Sequence, residues 1–408
     1  MMKSELRTRA LKALNKKAAY GPDIDISQYE LEEPRVEGDL RAVKGKSVLR
    51  AVERVGIDSL KRTGYLQVNE TAYYKLMEKA LSKYGVKVMP LRIALEKLDL
   101  AKELAWSLVS PDYDKYTAAA YLYGGELGYF VYVPSNVKVP IPIYTCLVLT
   151  SEKRIQFTHN VVYVDDYSEA HVVTGCAVPH GLSKGMHIGI SEFFLGKNSK
   201  LTFSMIHAWS EGVHVRPRTA VRTKEGSEYV SYYVIYSPVA SVQAYPTVFL
   251  DKEAKTYMAT IIAGEGLGVY DLGSRAILEA PHTSAEIVSR VLAMDRAKVF
   301  ARAEIRAKAP KSKGHIECLG LLLSEVAEIQ SIPVIASERP GAELSHEAAI
   351  GVIAQEELEY LMSKGFTEEE ARAIIIRGFM SIEAPGIPPS VRAEVGKILD
   401  LVTKYAIG

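Results

Sequence analysis

Between Gly124 and Ile335 the sequence is a succession of short runs rich in Val, Ile, Tyr and Thr, uninterrupted by any amphipathic helix of useful length. The runs fall at 128–133, 143–150, 161–164, 170–174, 200–206, 213–223, 229–236 and 255–262, and Gly, Pro, Asn or Asp punctuates many of them. A βαβ fold would alternate such runs with helices, so that class is excluded. A long all-β segment must also protect its strand edges. A sandwich, a barrel or a solenoid would each do so. The runs are short and close together, and hairpin signals such as Asn-Gly are absent, which favours a solenoid. No sharp repeat motif stands out to reinforce that choice.

The flanks read differently. Leu6, Ala10, Leu11 and Leu14 recur at helical spacing over 3–18, and 72–83 and 93–109 repeat the pattern. Residues 21–43 are polar, acidic and aperiodic, the composition of a mobile linker. After about Ser345 helical spacing returns, with Leu358, Leu361 and Met362 on one face over 354–363. Thr367 and Glu370 form a capping box for the next helix. Residues 384–389 break the pattern, and 391–405 carry a last helix. The expected division is 1–112 for a helical region with its linker, 113–340 for the β core, and 341–408 for a C-terminal helical domain.

Charge and cysteine content narrow the function classes. The net charge is +1, so the basic excess of a nucleic-acid binder is missing. Cys146, Cys176 and Cys318 are an odd, sparse set, which argues against a disulfide framework and for a reducing compartment. No apolar run reaches membrane-spanning length, and the charged N-terminus lacks the apolar core of a signal peptide. A soluble cytoplasmic protein is expected.

Several constellations could carry chemistry. Cys318 precedes the apolar run 319–323, and Ser345-His346-Glu347 follows where β character gives way to helix. A thiol, an imidazole and a carboxylate can hold iron or zinc, or can activate a nucleophilic thiolate. Helix capping by Glu347 and a hydrogen-bonded junction histidine at His346 are the structural alternatives. Cys176 and His180 have a Cys-x3-His spacing without a second pair, and buried packing of Cys176 competes with a functional role. Cys146 reads as core. His207 and Trp209 share one face of a strand. Arg216, Arg218 and Arg222 follow in period two with Lys224 beyond, which reads as a solvated basic face sooner than as an anion path. Lys44-Gly45-Lys46-Ser47 lacks the earlier glycine of a phosphate-binding loop, and 264–268 reads as a turn between strands, so ATP hydrolysis by this chain is not expected.

At this point the residues resemble the SufB/SufD family of iron–sulfur cluster assembly scaffold proteins. The match runs in order from about 112 to 380. It includes Asp114-Lys115-Tyr116-Thr117, Thr174-Gly175-Cys176-Ala177-Val178-Pro179, Ala280-Pro281-His282-Thr283-Ser284 and His315-Ile316-Glu317-Cys318. Ser345-His346-Glu347-Ala348-Ala349, Glu368-Glu369-Glu370-Ala371 and Ile376-Arg377-Gly378-Phe379 complete it.

The resemblance implies a right-handed parallel β-helix flanked by helical regions, and a scaffold working with a separate SufC-type ABC ATPase docked on the C-terminal domain. It implies that Cys318 accepts sulfur and holds the nascent cluster (4Fe–4S being one form), with Glu347 and His346 as companion ligands. Sulfur would be loaded at Cys176, and His207, Trp209 and Lys224 would fall near its path, His207 standing where the family usually has glutamine. A sulfur donor and recipient proteins are implied as further partners. A flavin is compatible with the family but has no sequence signal here. Ser345-His346 is the SufD-like form, whereas Cys318 and Glu347 are SufB-like, and the N-terminal cysteine cluster of longer SufB chains is missing. An undifferentiated protein follows, forming a homodimer or a SufB/SufD-type heterodimer through the β-helix, with Cys318 of one chain facing His346 of the other. A SufD-like structural subunit without a cluster and a polysaccharide-active β-solenoid enzyme are the alternatives.

Overall fold

The computed structural model describes residues 2–43, 45–57, 63–75, 78–179, 181–382 and a few positions between 396 and 404. The last helix and the break at 384–389 expected from the sequence therefore lie mainly outside the described residues, as do Lys44 and His180.

The β core is a parallel β-helix of about eight turns. The chain alternates between two facing sheets. Sheet one stacks Ile143–Val148, Glu169–Ala177, Lys200–Ala208, Glu228–Ile235, Lys255–Gly264, Ser284–Ala293, Lys313–Leu322 and Glu343–Val352. Sheet two stacks Tyr129–Val133, Arg154–Val164, Gly185–Leu195, two broken coils, Val269–Leu278, Lys298–Ala307 and Glu328–Ser337. The core fills the space between the sheets with inward residues such as Val172, Phe203, Met258, Ile287 and Ile316. Every second residue of a strand supplies this face, which is why the strands read as Val/Ile-rich runs.

The repeat hidden in the sequence sits at one corner. Tyr167, Asn198, Gly226, Glu253, His282, Lys311 and Gly341 all have positive φ, and each stands two residues before a sheet-one strand. Ser168, Ser199, Ser227, Ala254, Thr283 and Ser312 follow them and are buried. The amides of Tyr167, Asn198, Gly226, Glu253 and Lys311 each donate to a carbonyl in the next coil, at 2.8–3.2 Å. This ladder holds bulky residues in a left-handed conformation that isolated residues avoid. One position into the strands, Glu169, Lys200, Glu228, Lys255, Ser284, Lys313 and Glu343 stack in register. Lys200–Glu228 and Lys313–Glu343 pair at 3.0 and 3.1 Å. Such exposed pairs add little stability, but the near-alternation of charge disfavours slipping by one coil.

The segment 21–43, whose composition suggests a mobile linker, is packed against the β-helix. Tyr29 and Leu40 are buried, the Ile24 amide donates to the Tyr116 hydroxyl at 3.0 Å, and Arg216 donates to the Pro22 carbonyl at 2.9 Å. Most of its few apolar side chains serve as anchors, Leu31 staying exposed, which a compositional average conceals. The N-terminal region is also less helical than its spacing suggests, since Thr63–Val68, Thr71–Tyr74 and Lys87–Pro90 extend the two sheets.

A buried carboxylate fastens this region to sheet two. Glu192 accepts the amides of Trp106, Leu108 and Val109 at 2.5–2.9 Å and contacts His159 Nε2 at 2.7 Å. Glu192→Ala strands these donors in a dry site and should lower unfolding stability by about 3–5 kcal/mol. Glu192→Gln, which keeps one acceptor oxygen, should lose less. Denaturant midpoints of the two variants check the ordering.

At the other end the β-helix continues through Val352, so Ser345, His346 and Glu347 lie on a strand and not at the helix start expected from the sequence. The helices Gln355–Ser363 and Glu368–Met380 follow. The Thr367 capping box forms as expected, with the Glu370 amide donating to Thr367 Oγ1 at 3.2 Å and the Thr367 amide to Glu370 Oε2 at 2.8 Å. Ile376 and Met380 join the apolar cluster of Leu292 and Leu321 on the outside of sheet one.

Candidate functional site

Alternation along Lys313–Leu322 decides where the Cys318 thiol goes. Gly314, Ile316, Cys318 and Gly320 are buried, whereas His315, Glu317 and Leu319 are on the outer face. Cys318 is 2% exposed within the inter-sheet core. Its register neighbours are Ser289 in the preceding coil and Ala348 in the last. Burial pushes the thiol up, and the hydroxyls of Ser331 and Ser289 partly offset this.

The same parity separates the companions. His346 pairs with Ile316, so it is carried on the inner face, the side of Cys318. Strand spacing and rise put its Cα roughly 8 Å from that of Cys318. Glu347 pairs with Glu317 on the outer face, where Glu317 is already paired with Arg290 and His315 Nδ1 lies 2.9 Å from Ser345 Oγ. Within one chain the thiol and the Glu347 carboxylate therefore lie on opposite sides of one sheet. Among the described residues, no group of three or more His, Cys, Asp or Glu side chains is gathered closely enough to hold a metal. Glu343–Val352 is the edge of its sheet, and His346, Glu347, Ala348 and Ile350 are all exposed.

Cys176 lies deep inside, fully buried, with Sγ 3.5 Å from Met205 Sδ. Burial pushes its thiol well up. Its register partner is His207, whose Nδ1 receives the Trp209 indole N–H at 2.9 Å and lies 3.2 Å from the Tyr233 hydroxyl. Cys176, His207 and Trp209 are thus brought together. A cleft of about 580 Å³, lined by Arg54, Leu182, Trp209, Glu211 and Pro238, opens beside them. Lys224 is not part of this group. It is exposed in the turn before Glu228–Ile235, seven strand positions and ~23 Å from the level of His207.

The arginines of period two do not form a solvated face. Arg216 and Arg218 are buried against the Tyr116 ring, and Arg218 Nε donates to Asp114 Oδ2 at 2.7 Å. Arg222, half-buried, pairs with Glu279. Arg216 and Arg218 serve as anchors for the N-terminal region. Cys146 is buried in the core, as its apolar run suggests.

Sequence reasoning missed the interior column that runs between the two cysteines. Thr174, Met205, Tyr233, Thr260, Ser289 and Cys318 follow one another in register on the inner face. Cys176 lies two residues along the strand from Thr174, so five strand steps, ~24 Å, separate its strand from that of Cys318. Tyr233, Thr260 and Ser289 bring hydroxyls into an otherwise apolar core. The available signal was a Thr or Ser at the same inward position of strands 29 residues apart, Thr260 and Ser289 being the pair.

Residues 147–379 match the family model described as the SufBD core domain of SUF system FeS cluster assembly. Over nearly the whole chain, 37% of residues are identical to an iron–sulfur cluster assembly SufBD family protein of Methanothermobacter thermautotrophicus, covering 99% of this chain and 100% of that one. A protein of the same description from Archaeoglobus fulgidus is 41% identical over 86% of this chain and 94% of its own. One from Pyrococcus horikoshii is 30% identical over 98% and 92%. The matched core contains Cys176, His207, Trp209, Lys224, Cys318, His346 and Glu347.

Proposed function

The chain belongs to the SufBD family of iron–sulfur cluster assembly proteins, and on that premise we propose that it is the scaffold on which a cluster is built and from which it is handed on. Sulfur is loaded at Cys176 and passes through the β-helix to Cys318, which ligates iron. His346 and Glu347 come from a second copy of the chain that docks edge to edge at the open end of the β-helix. The cluster is cargo. Imidazole and carboxylate are harder ligands than thiolate, so a site that mixes them releases its cluster more readily than four thiolates would. A SufC-type ATPase docks on the C-terminal helical region and, through its nucleotide cycle, changes the separation of the two protomers. Proteins of the SUF system generally work with such an ATPase.

The observation that carries this reading is the hydroxyl-bearing inner column between two buried thiols. An apolar core gains nothing from Tyr233, Thr260 and Ser289 at one inward position in successive coils, whereas polar or anionic sulfur species need such donors. No helix among the described residues is long and apolar enough to cross a membrane.

Two sulfur routes test it. Cys176→Ala should lose cluster assembly when a protein persulfide is the sulfur source. It should keep assembly when ferrous iron and inorganic sulfide are supplied directly, because Cys318 is intact. Equal assembly by Cys176→Ala and the parent from both sources would remove Cys176 from the pathway.

A further inference from the structure

The two nitrogens of His207 are in different situations. An indole N–H can only donate, so the 2.9 Å contact from Trp209 makes His207 Nδ1 an acceptor. Burial and the neighbouring His187 hold the ring neutral, its basicity well below the ordinary histidine value. A neutral imidazole that accepts at Nδ1 carries its proton on Nε2. That Nε2–H is buried and has no hydrogen-bond partner among the described residues, an unfavourable arrangement in a dry core. On one side along the axis His207 meets Tyr233, which already approaches Nδ1. On the other side its register partner is Cys176.

The surroundings fix this arrangement. Gln156 donates through its amide nitrogen to the carbonyls of Asn69 and Val148, both at 3.1 Å. Its oxygen therefore faces His187 Nδ1, at 2.9 Å, as an acceptor. The His187 ring in turn lies 5.0 Å from the Trp209 ring. Trp209 is thus clamped between His187 and the nitrogen it serves.

We propose that the His207 Nε2–H, oriented by Trp209, is the donor of a binding site for anionic sulfur, namely the terminal sulfur of a persulfide on Cys176. The inference rests on the loading of sulfur at Cys176 proposed above. In the loading step the Cys176 sulfur attacks the outer sulfur of a persulfide or polysulfide. The donor's S–S bond breaks as the Cys176 S–S bond forms, the electron pair leaves on the donor sulfur, and that sulfur takes the proton given up by Cys176. No net oxidation occurs. The outer sulfur left on Cys176 is an anion in a site that otherwise penalises charge, and the unused N–H meets that need. Trp209 and His187 are positioning residues.

The full-length protein is treated anaerobically with sodium tetrasulfide, alkylated, and the persulfide on the Cys176 peptide is measured by mass spectrometry. In His207→Leu the persulfide held on Cys176 should fall about tenfold, the weight of one charge-assisted hydrogen bond. His207→Gln, which restores an N–H donor, should recover most of it. In Trp209→Phe the ¹⁵N spectrum of His207 should show its proton shared between the two ring nitrogens, with less persulfide retained. A His207→Leu protein holding as much persulfide as the parent, or an unchanged tautomer in Trp209→Phe, overturns this inference alone. A parent that carries no persulfide on Cys176 overturns it together with the loading of sulfur there.

Discussion

Cys318→Ser should leave the β-helix folded and bring the iron and acid-labile sulfide bound after anaerobic reconstitution down to background. The two side chains are nearly the same size, and Ser289 and Ser331 already place hydroxyls around position 318, so the cost to folding should be about 1–2 kcal/mol. The effect on the cluster is of another order. A serine hydroxyl is not ionised at neutral pH, is a poor ligand for iron, and cannot carry a sulfane sulfur. His346→Ala should act differently, retaining the thiolate and losing cluster lifetime more than cluster formation. Iron and sulfide analysis with Mössbauer spectra separates the two variants. Unchanged iron and sulfide content in Cys318→Ser would remove that residue from the site.

The second large effect is expected at the open end of the β-helix. Ile335 and Ile350 are on the inner faces of the last strands of their sheets, yet both are exposed because no further coil among the described residues covers them. Val352 is 69% exposed. A ten-residue edge strand with apolar flanks is a template for pairing, and a solenoid end without a polar cap calls for a partner. Ile350→Glu puts a charge on that face and should weaken self-association by more than about a hundredfold, since a desolvated charge without a partner costs several kcal/mol. Sedimentation equilibrium of the parent and the variant reads this out. The variant should be a monomer that assembles no cluster, whereas a dimeric Ile350→Glu protein would place the interface elsewhere.

Much of the fold was legible because strand-forming residues were concentrated between 124 and 335 and the helical signals were confined to the flanks. The coil repeat was not. Its left-handed corner is occupied in turn by Tyr167, Asn198, Gly226, Glu253, His282, Lys311 and Gly341, so no residue type recurs. What recurs is the small buried residue after it, and coil length drifts enough to blur even that. Cys318 was legible as a candidate, and the family match left the polysaccharide-enzyme alternative without support. The geometry of its companions was not legible. Reading 345–347 as a helix start hid the alternation that places His346 on the inner face and Glu347 on the outer. The buried arginines were misread for a related reason: period two marks one face of a strand, but whether that face meets water depends on what packs over it, here Tyr116 and Asp114.

A site that draws its ligands from two chains should be rebuilt when two different variants exchange subunits. Cys318→Ser and a His346→Ala, Glu347→Ala double variant are each purified, mixed so that protomers exchange, and reconstituted anaerobically with iron and sulfide. Each homodimer lacks a complete site. In a two-fold heterodimer one site loses both sets of ligands and the other keeps both, so random exchange should restore about a quarter of the parent's cluster content. A mixture that exchanges protomers and still binds no more iron and sulfide than the separate variants would mean that Cys318, His346 and Glu347 do not form one site across two chains.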